Sequence, residues 1–226
     1  MKNLAIFDLD HTLINTDSDN AFPKFLIEQG LLDADYAAVQ NEKFYQDYLS
    51  GCLNVADFVR FQITPIAQLT PAQRNELHQQ FQTQYITPHA SQAAKDLVNR
   101  HRRAGDELLV ISSTNEYIIA PICQQIFGIR NIIGTQLETD SNGLFTGNII
   151  GTPSLQEGKI TRLNQWLAAR GETLASYGKT YFYSDSQNDL PLLNLVDEPV
   201  AVNPDATLLA HAQAHGWAVL RFDEAA

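Results

Sequence analysis

Cysteine is nearly absent from this chain: Cys52 and Cys123 are the 2 cysteines in 226 residues, and they lack the close spacing of a ligand pair. That argues against both a disulfide framework and a cysteine zinc site, and predicts that each thiol is a small buried apolar residue. Positive charge is also scarce. Lys and Arg number 15 against 26 Asp and Glu, a net charge of −11, which argues against a nucleic-acid partner and suits a bound cation. No apolar run approaches the ~18 residues of a membrane span. The first apolar run already begins at Leu4, so the expectation is a cytoplasmic protein with no signal peptide and no membrane partner. Repeats, low-complexity tracts and flexible linkers are missing as well. What is present, 44% hydrophobic and 18% charged residues, is enough for a packed core of one medium domain or of a core domain with a smaller companion.

The stretch around which the chain is organised is Leu4-Ala5-Ile6-Phe7-Asp8-Leu9-Asp10-His11-Thr12-Leu13. Four apolar residues read as a strand buried on both faces. Asp8 and Asp10 follow it, and in a parallel sheet ligands bind beyond the carboxyl ends of the strands. Two acids at i and i+2 in extended chain can reach one cation between them. A strand ending in an Asx-rich turn would account for a lone Asp-x-Asp equally well, so the partners elsewhere in the chain decide.

Downstream the pattern becomes helical. Phe22, Phe25 and Leu26 precede a stop at Gly30, and Phe44, Tyr45, Tyr48 and Leu49 precede one at Gly51. Val55, Phe58 and Val59 come before Pro65, and Leu77, Phe81 and Tyr85 make a fourth stripe. Residues 15–86 therefore read as an all-helical unit whose aromatic stripes form its core. From Pro88 the pattern alternates. A helix carrying Ala90, Ala94, Leu97 and His101 ends at Gly105, and Leu108 to Ile111 form a second buried strand. His101 reads as a packed or surface residue rather than a ligand. Ile118, Ile119, Ile122 and Ile126 mark a helix ending at Gly128, and Ile132-Ile133 a short strand. Residues 136–150 read as a hairpin turning at Asn142-Gly143. Ile160, Leu163 and Leu167 place a helix over 157–169, and Tyr181-Phe182-Tyr183 is another buried strand. Pro199 to Val202 and Ala218 to Phe222 are the last strands, with a helix from about Asp205 to His215 between them. The predicted fold class is α/β, a Rossmann-like parallel sheet with helices on both faces and an inserted all-helical cap domain. The core would comprise residues 1–14 and 87–226, and the cap 15–86.

Three predicted strands end in polar clusters: Asp8/Asp10/Thr12, Ser112/Ser113/Thr114 and Asp185/Ser186/Asn188/Asp189. A parallel sheet brings such ends to one edge. Four aspartates there would repel one another unless a divalent cation bridged them, and oxygen-only ligands point to Mg²⁺. Lys159 lies in the first turn of its helix, where the helix dipole disfavours a cation by about 0.3–1 kcal/mol. Taken alone it could be a solvated surface lysine. Beside a metal and hydroxyl donors it would neutralise an anion, and the set describes phosphoryl transfer with a carboxylate attacking phosphorus.

At this point the residues resemble a family. Asp8-Leu9-Asp10-His11-Thr12, Ser112 at a strand end, Lys159 opening a helix and Ser184-Asp185-Ser186-Gln187-Asn188-Asp189 look like the four ordered motifs of the haloacid dehalogenase superfamily. Their order, spacing and helical insertion resemble its phosphoserine-phosphatase-like branch. The stretches Gly51-Cys52-Leu53-Asn54-Val55, Gln156-Glu157-Gly158-Lys159 and Tyr183 to Leu193 are similar to bacterial members described as histidinol-phosphatases or unassigned hydrolases. The resemblance implies that Asp8 is a nucleophile forming an aspartyl-phosphate and that Asp10 is its general acid and base. It implies that Ser112 and Lys159 hold the phosphoryl oxygens, and Asn188 and Ser113 are supporting residues of the site. Mg²⁺ would sit on Asp8, Asp185 and the backbone carbonyl of Asp10, with Asp189 supporting the metal shell or Lys159. Asp17 and Arg60 match the region where relatives receive a substrate amine and carboxylate; alternatively Asp17 caps a helix and Arg60 is solvated. His11 and Ser113-Thr114 depart from the phosphoserine phosphatase pattern, which puts phosphoserine itself in doubt; His11 reads as a loop residue.

The expected function is thus a Mg²⁺-dependent phosphomonoesterase acting on a small phosphorylated metabolite, amine-bearing if Asp17 contacts substrate, with histidinol phosphate as one candidate. Phosphoserine hydrolysis and phosphoryl transfer to another alcohol are the enzyme alternatives. A receiver-like module phosphorylated on a strand-end Asp is the non-enzyme one, and Asp10 argues against it, because a lasting acyl-phosphate gains nothing from a second acid.

Overall fold

The computed structural model describes residues 1–49 and 52–222. Strand β1 (Leu4–Phe7) is followed by helices α1 (Ser18–Glu28), α2 (Ala34–Leu49), α3 (Val55–Ile63) and α4 (Pro71–Phe81), the last running into one π turn at Gln82–Ile86. Then come α5 (Gln92–Ala104), β2 (Glu107–Asn115), α6 (Glu116–Phe127), β3 (Asn131–Thr139), β4 (Phe145–Ile150) and α7 (Glu157–Ala168). The chain closes with β5 (Thr180–Ser184), the short α8 (Leu190–Leu193), β6 (Glu198–Val202), α9 (Ala206–His215) and β7 (Ala218–Leu220).

The strands form one sheet in the order β4-β3-β2-β1-β5-β6-β7, parallel except for the β3–β4 hairpin. The α/β class expected from the alternating pattern holds. β1 lies at the centre and alternates its side chains between two cores: Ala5 and Phe7 pack with α1, α5 and α6, whereas Leu4 and Ile6 pack with α7, α8 and α9. All four are fully buried, which is why the strand reads as an unbroken apolar run.

The helical insertion shares the first of these cores. Phe22, Phe25 and Phe81 are fully buried and interlock edge-on or tilted, and Phe22 also meets Tyr117 of α6. From the other side the β3–β4 hairpin holds the insertion. The Arg74 guanidinium lies 3.9 Å from the Phe145 ring centre and donates to the Gly143 carbonyl at 2.6 Å. Gly143, at φ +76, lets the Asn142-Gly143 turn close.

Several expectations need revision. β2 continues through Ser112–Asn115, so that polar cluster belongs to the strand, with a register irregularity between Ile111 and Asn115. β3 runs for nine residues rather than two. Ala90 precedes α5, whose first turn is capped by Ser91. Tyr45 is 58% exposed rather than core, and Cys52 is exposed, while Cys123 is buried as expected. The helix stop assigned to Gly51 lies outside the described residues. His101 is packed: its ring bonds Asp106 at 2.7 Å and the Tyr183 hydroxyl at 2.8 Å.

Candidate active site

At the carboxyl edge of β1, β2 and β5, the sheet and the insertion enclose a cavity of about 640 Å³. Asp8, Asp10, Ser112, Ser113, Lys159, Asp185, Asn188 and Asp189 all line it, as does Asp17. β1 delivers Asp8 directly, its backbone N–H donating to the Tyr183 carbonyl as the last rung of the sheet. The chain then turns through His11, whose φ of +54 places it in the left-handed region and which also lines the cavity.

Lys159 reaches the same point from α7. The residue is 4% exposed, and its ammonium lies 2.9 Å from Asp8 and 2.7 Å from Asp189. Asp189 is held in turn by the Ser184 hydroxyl at 2.6 Å. The approach of α7 depends on Gly158: a Cβ there would stand 2.0 Å from the Pro153 carbonyl oxygen. The preceding Gln156 has φ +50, so this loop is tightly folded where it meets the helix.

The second acid is held differently. Asp10 accepts from the Ser18 backbone N–H at 2.7 Å and from the Thr114 hydroxyl at 2.9 Å. Asp185 accepts from Thr12 at 3.1 Å. Burial pushes the Asp8 carboxyl up to about 6 against the pull of Lys159. Burial and the neighbouring charge of Asp8 push Asp185 up to about 8. Burial, with Asp17, Asp19 and Asp8 nearby, holds Asp10 well above the ordinary carboxylate range. Lys159 is raised despite its burial, because Asp189 and Asp8 favour its charged form.

Among the described residues no three His, Cys, Asp or Glu side chains converge as a preformed metal cluster. The donor set is two carboxylates, Asp8 and Asp185, with other oxygens near. That suits Mg²⁺, which takes one or two carboxylates and fills its remaining positions with water and phosphate. The crowding that raises these acids is what a divalent charge would relieve.

Two predicted residues part company. Asp17 lines the cavity and also caps α1, accepting from the Asn20 N–H at 2.9 Å. Arg60 does not line the cavity; it is exposed, paired with Asp57 at 2.9 Å and directed toward Asn148 of β4. Three residues that the sequence did not single out complete this part: Asp19, which lines the cavity beside Thr114, and Gln62 and Asn115, which lie behind it. The repeated acid in Asp17-Ser18-Asp19 was the available signal.

Residues 5–194 match the family model described as haloacid dehalogenase-like hydrolase. The chain belongs to that family. It is 64% identical over 222 residues to a histidinol-phosphatase of Neisseria meningitidis serogroup C, covering 98% of this chain and 100% of that one. A probable phosphatase of Mycobacterium tuberculosis is 31% identical across 98% of this chain and 76% of its own length. A Bordetella pertussis protein of unknown function superposes with a TM-score of 0.91 at 39% identity, covering 97% and 98% of the two chains. A substrate-bound phosphoserine phosphatase superposes with a TM-score of 0.64 at 17% identity, covering 97% and 93%, a likeness of fold. With its family and relatives together, this chain is an enzyme of the phosphatase class.

Proposed function

We propose that this chain is a Mg²⁺-dependent phosphomonoesterase working through an aspartyl-phosphate on Asp8, with a small amine-bearing phosphate ester, histidinol phosphate first, as substrate. The observation that carries the reading is the buried contact of Lys159 with Asp8 beside Asp10, at the floor of the cavity. In this reading residues 15–86 are a cap closing over a core of residues 1–14 and 87–226.

The Asp8 carboxylate attacks phosphorus and the ester P–O bond breaks. Asp10 passes its proton to the departing alkoxide. Water then attacks the phosphorus of the acyl-phosphate and gives its proton to Asp10, so that inorganic phosphate leaves and both acids are restored. Through both steps the Lys159 ammonium and Ser112 hydroxyl hold the phosphoryl oxygens, while Asp189 holds the lysine. Asp8, Asp185 and the Asp10 carbonyl would hold Mg²⁺, which would supply positive charge against the phosphoryl oxygens.

Substrate class follows from the cavity walls. Asp17 and Glu42 make one part acidic, and Phe44, Val55 and Phe58 make another apolar. An amine beside a flat ring fits both, and the 64% identical relative supports histidinol phosphate. Phosphate release from a panel of phosphorylated amino acids, amino alcohols, sugars and nucleotides tests this. Histidinol phosphate should give the highest kcat/KM, and Asp8→Asn should lose more than about nine-tenths of kcat. Retained turnover in Asp8→Asn would remove the covalent step.

A further inference from the structure

The nucleophile and lysine account for one half of the cavity floor. The other half holds a chain of hydrogen bonds with no part in those steps. Thr114 of β2 places its single hydroxyl 2.9 Å from Asp10 and 2.8 Å from Asp19. Asp19, in the first turn of α1, is fixed on its other oxygen by the Gln62 amide at 2.9 Å. Gln62 is fully buried in α3, donates also to the Asp19 carbonyl at 3.1 Å, and accepts from Asn115 at 3.2 Å. Asn115 caps α6 through its own side-chain oxygen at 3.2 Å from the Ile118 N–H. Thus this chain of bonds links two insertion helices to one core strand, and its Thr114 hydroxyl touches Asp10.

A partly buried aspartate facing another acid is costly unless it has work to do, and this one gives up its outward reach to bond inward. Both of its carboxylate oxygens are engaged, one by Thr114 and the other by Gln62, although the residue borders the cavity. An acid that must hand a proton to one alkoxide oxygen needs a single side-chain orientation, held by groups that are themselves immobile.

We propose that Asp19 is a positioning residue for Asp10, acting through the Thr114 hydroxyl and tying that acid to the helical insertion through Gln62. It rests on the reading of Asp10 as general acid. Asp19 does not touch the reacting atoms; it sets where Thr114 sits, and Thr114 sets the Asp10 carboxyl.

The test compares three substrates: histidinol phosphate, its counterpart lacking the amine, and 4-nitrophenyl phosphate, whose leaving group needs little protonation. In Asp19→Ala and in Thr114→Val, kcat should fall about 10-fold or more on both alkyl esters with KM little changed, and less than about 2-fold on the aryl ester. The double variant should lose no more than either single one, because both cut the same chain. Thr114→Ser should restore activity, since it keeps the hydroxyl. Loss confined to the amine-bearing ester, with a raised KM, would overturn the proposal and make Asp19 an amine contact. Equal loss on all three substrates with a lower Tm would overturn it in favour of a structural tie. Asp10→Asn is measured alongside. If it fails to discriminate between leaving groups, the general-acid reading itself falls; if it discriminates and Asp19→Ala does not, only the positioning role falls.

Discussion

The Lys159 ammonium lies 2.9 Å from the Asp8 carboxylate, with both groups almost fully removed from water. A charge pair so placed is held by geometry as much as by attraction, because either partner left alone would be a buried ion. Lys159→Met should therefore cost more than a phosphate contact. We expect kcat to fall about 10²–10³-fold, the scale for losing one donor to a developing oxyanion. Tm should also fall, and fall further at pH 8 than at pH 5, since Asp8, raised to about 6, is ionised at pH 8 with the charge of Lys159 gone. An unchanged Tm at both pH values would mean the pair contributes nothing to the fold.

Stability of the metal-free protein should decline as pH rises. Asp8 is raised from the ordinary 3.8 to about 6, Asp19 to about 7 and Asp185 to about 8, in each case chiefly by burial. A raised carboxyl binds its proton more tightly in the folded state than in the unfolded one, so unfolding releases protons and is favoured by alkali. The loss begins above about pH 4 and is complete near pH 8, the window between those unfolded and folded values. Thermal melts in chelator should show Tm falling across it. Added Mg²⁺ should raise Tm more at pH 8 than at pH 5, because the ion binds the ionised acids. A Tm that climbs from pH 5 to 8 in chelator would show that these acids are not strained by burial.

Gly158→Ala tests the loop that delivers the lysine. Its Cβ would meet the Pro153 carbonyl at 2.0 Å, inside any tolerated contact, so Gln156 and the first turn of α7 must shift. Overpacking of this kind costs about 1–3 kcal/mol. We expect a lower Tm together with a reduced kcat, read from melts and from phosphate release. Gly171, with open space around its Cβ position, is the control for alanine at a glycine of the same chain; its φ of +69 makes that control mildly strained as well.

Asp17 can be separated into its two parts. Asn caps a helix about as well as Asp, so Asp17→Asn keeps the bond to Asn20 and removes only the charge. Tm should stay nearly constant while KM for histidinol phosphate rises and the nitrophenyl ester is unaffected. A drop in Tm with no change in KM would leave Asp17 as a cap alone. Arg60→Ala should leave both constants near wild type, because its partners are Asp57 and Asn148 on the outer surface.

The local pattern alone determined the α/β class, most of the helices and which strand-end side chains share one edge. Four apolar residues before Asp8, and the buried runs before Ser112 and Asp185, report burial on two faces, and period and stop residues report helices. Those are properties of a short window, and a parallel sheet converts strand ends into neighbours without further information. Asp8, Asp10 and Asp185 could be placed together for that reason, whereas Lys159, in the first turn of a helix, joined them only through the counter-charge such a site needs and its likeness to the family motif. Tertiary structure decided the rest. Asp17 and Arg60 both sit on the insertion, and only the docking of α3 against β4 turns Arg60 away from the cavity while α1 points Asp17 into it. Asp19, Thr114 and Gln62 come from three elements far apart in the chain, and nothing in the spacing of one element reports what another presses against it. Hydrogen-bond partners act over about 3 Å, whereas sequence periodicity describes only which face of an element is buried.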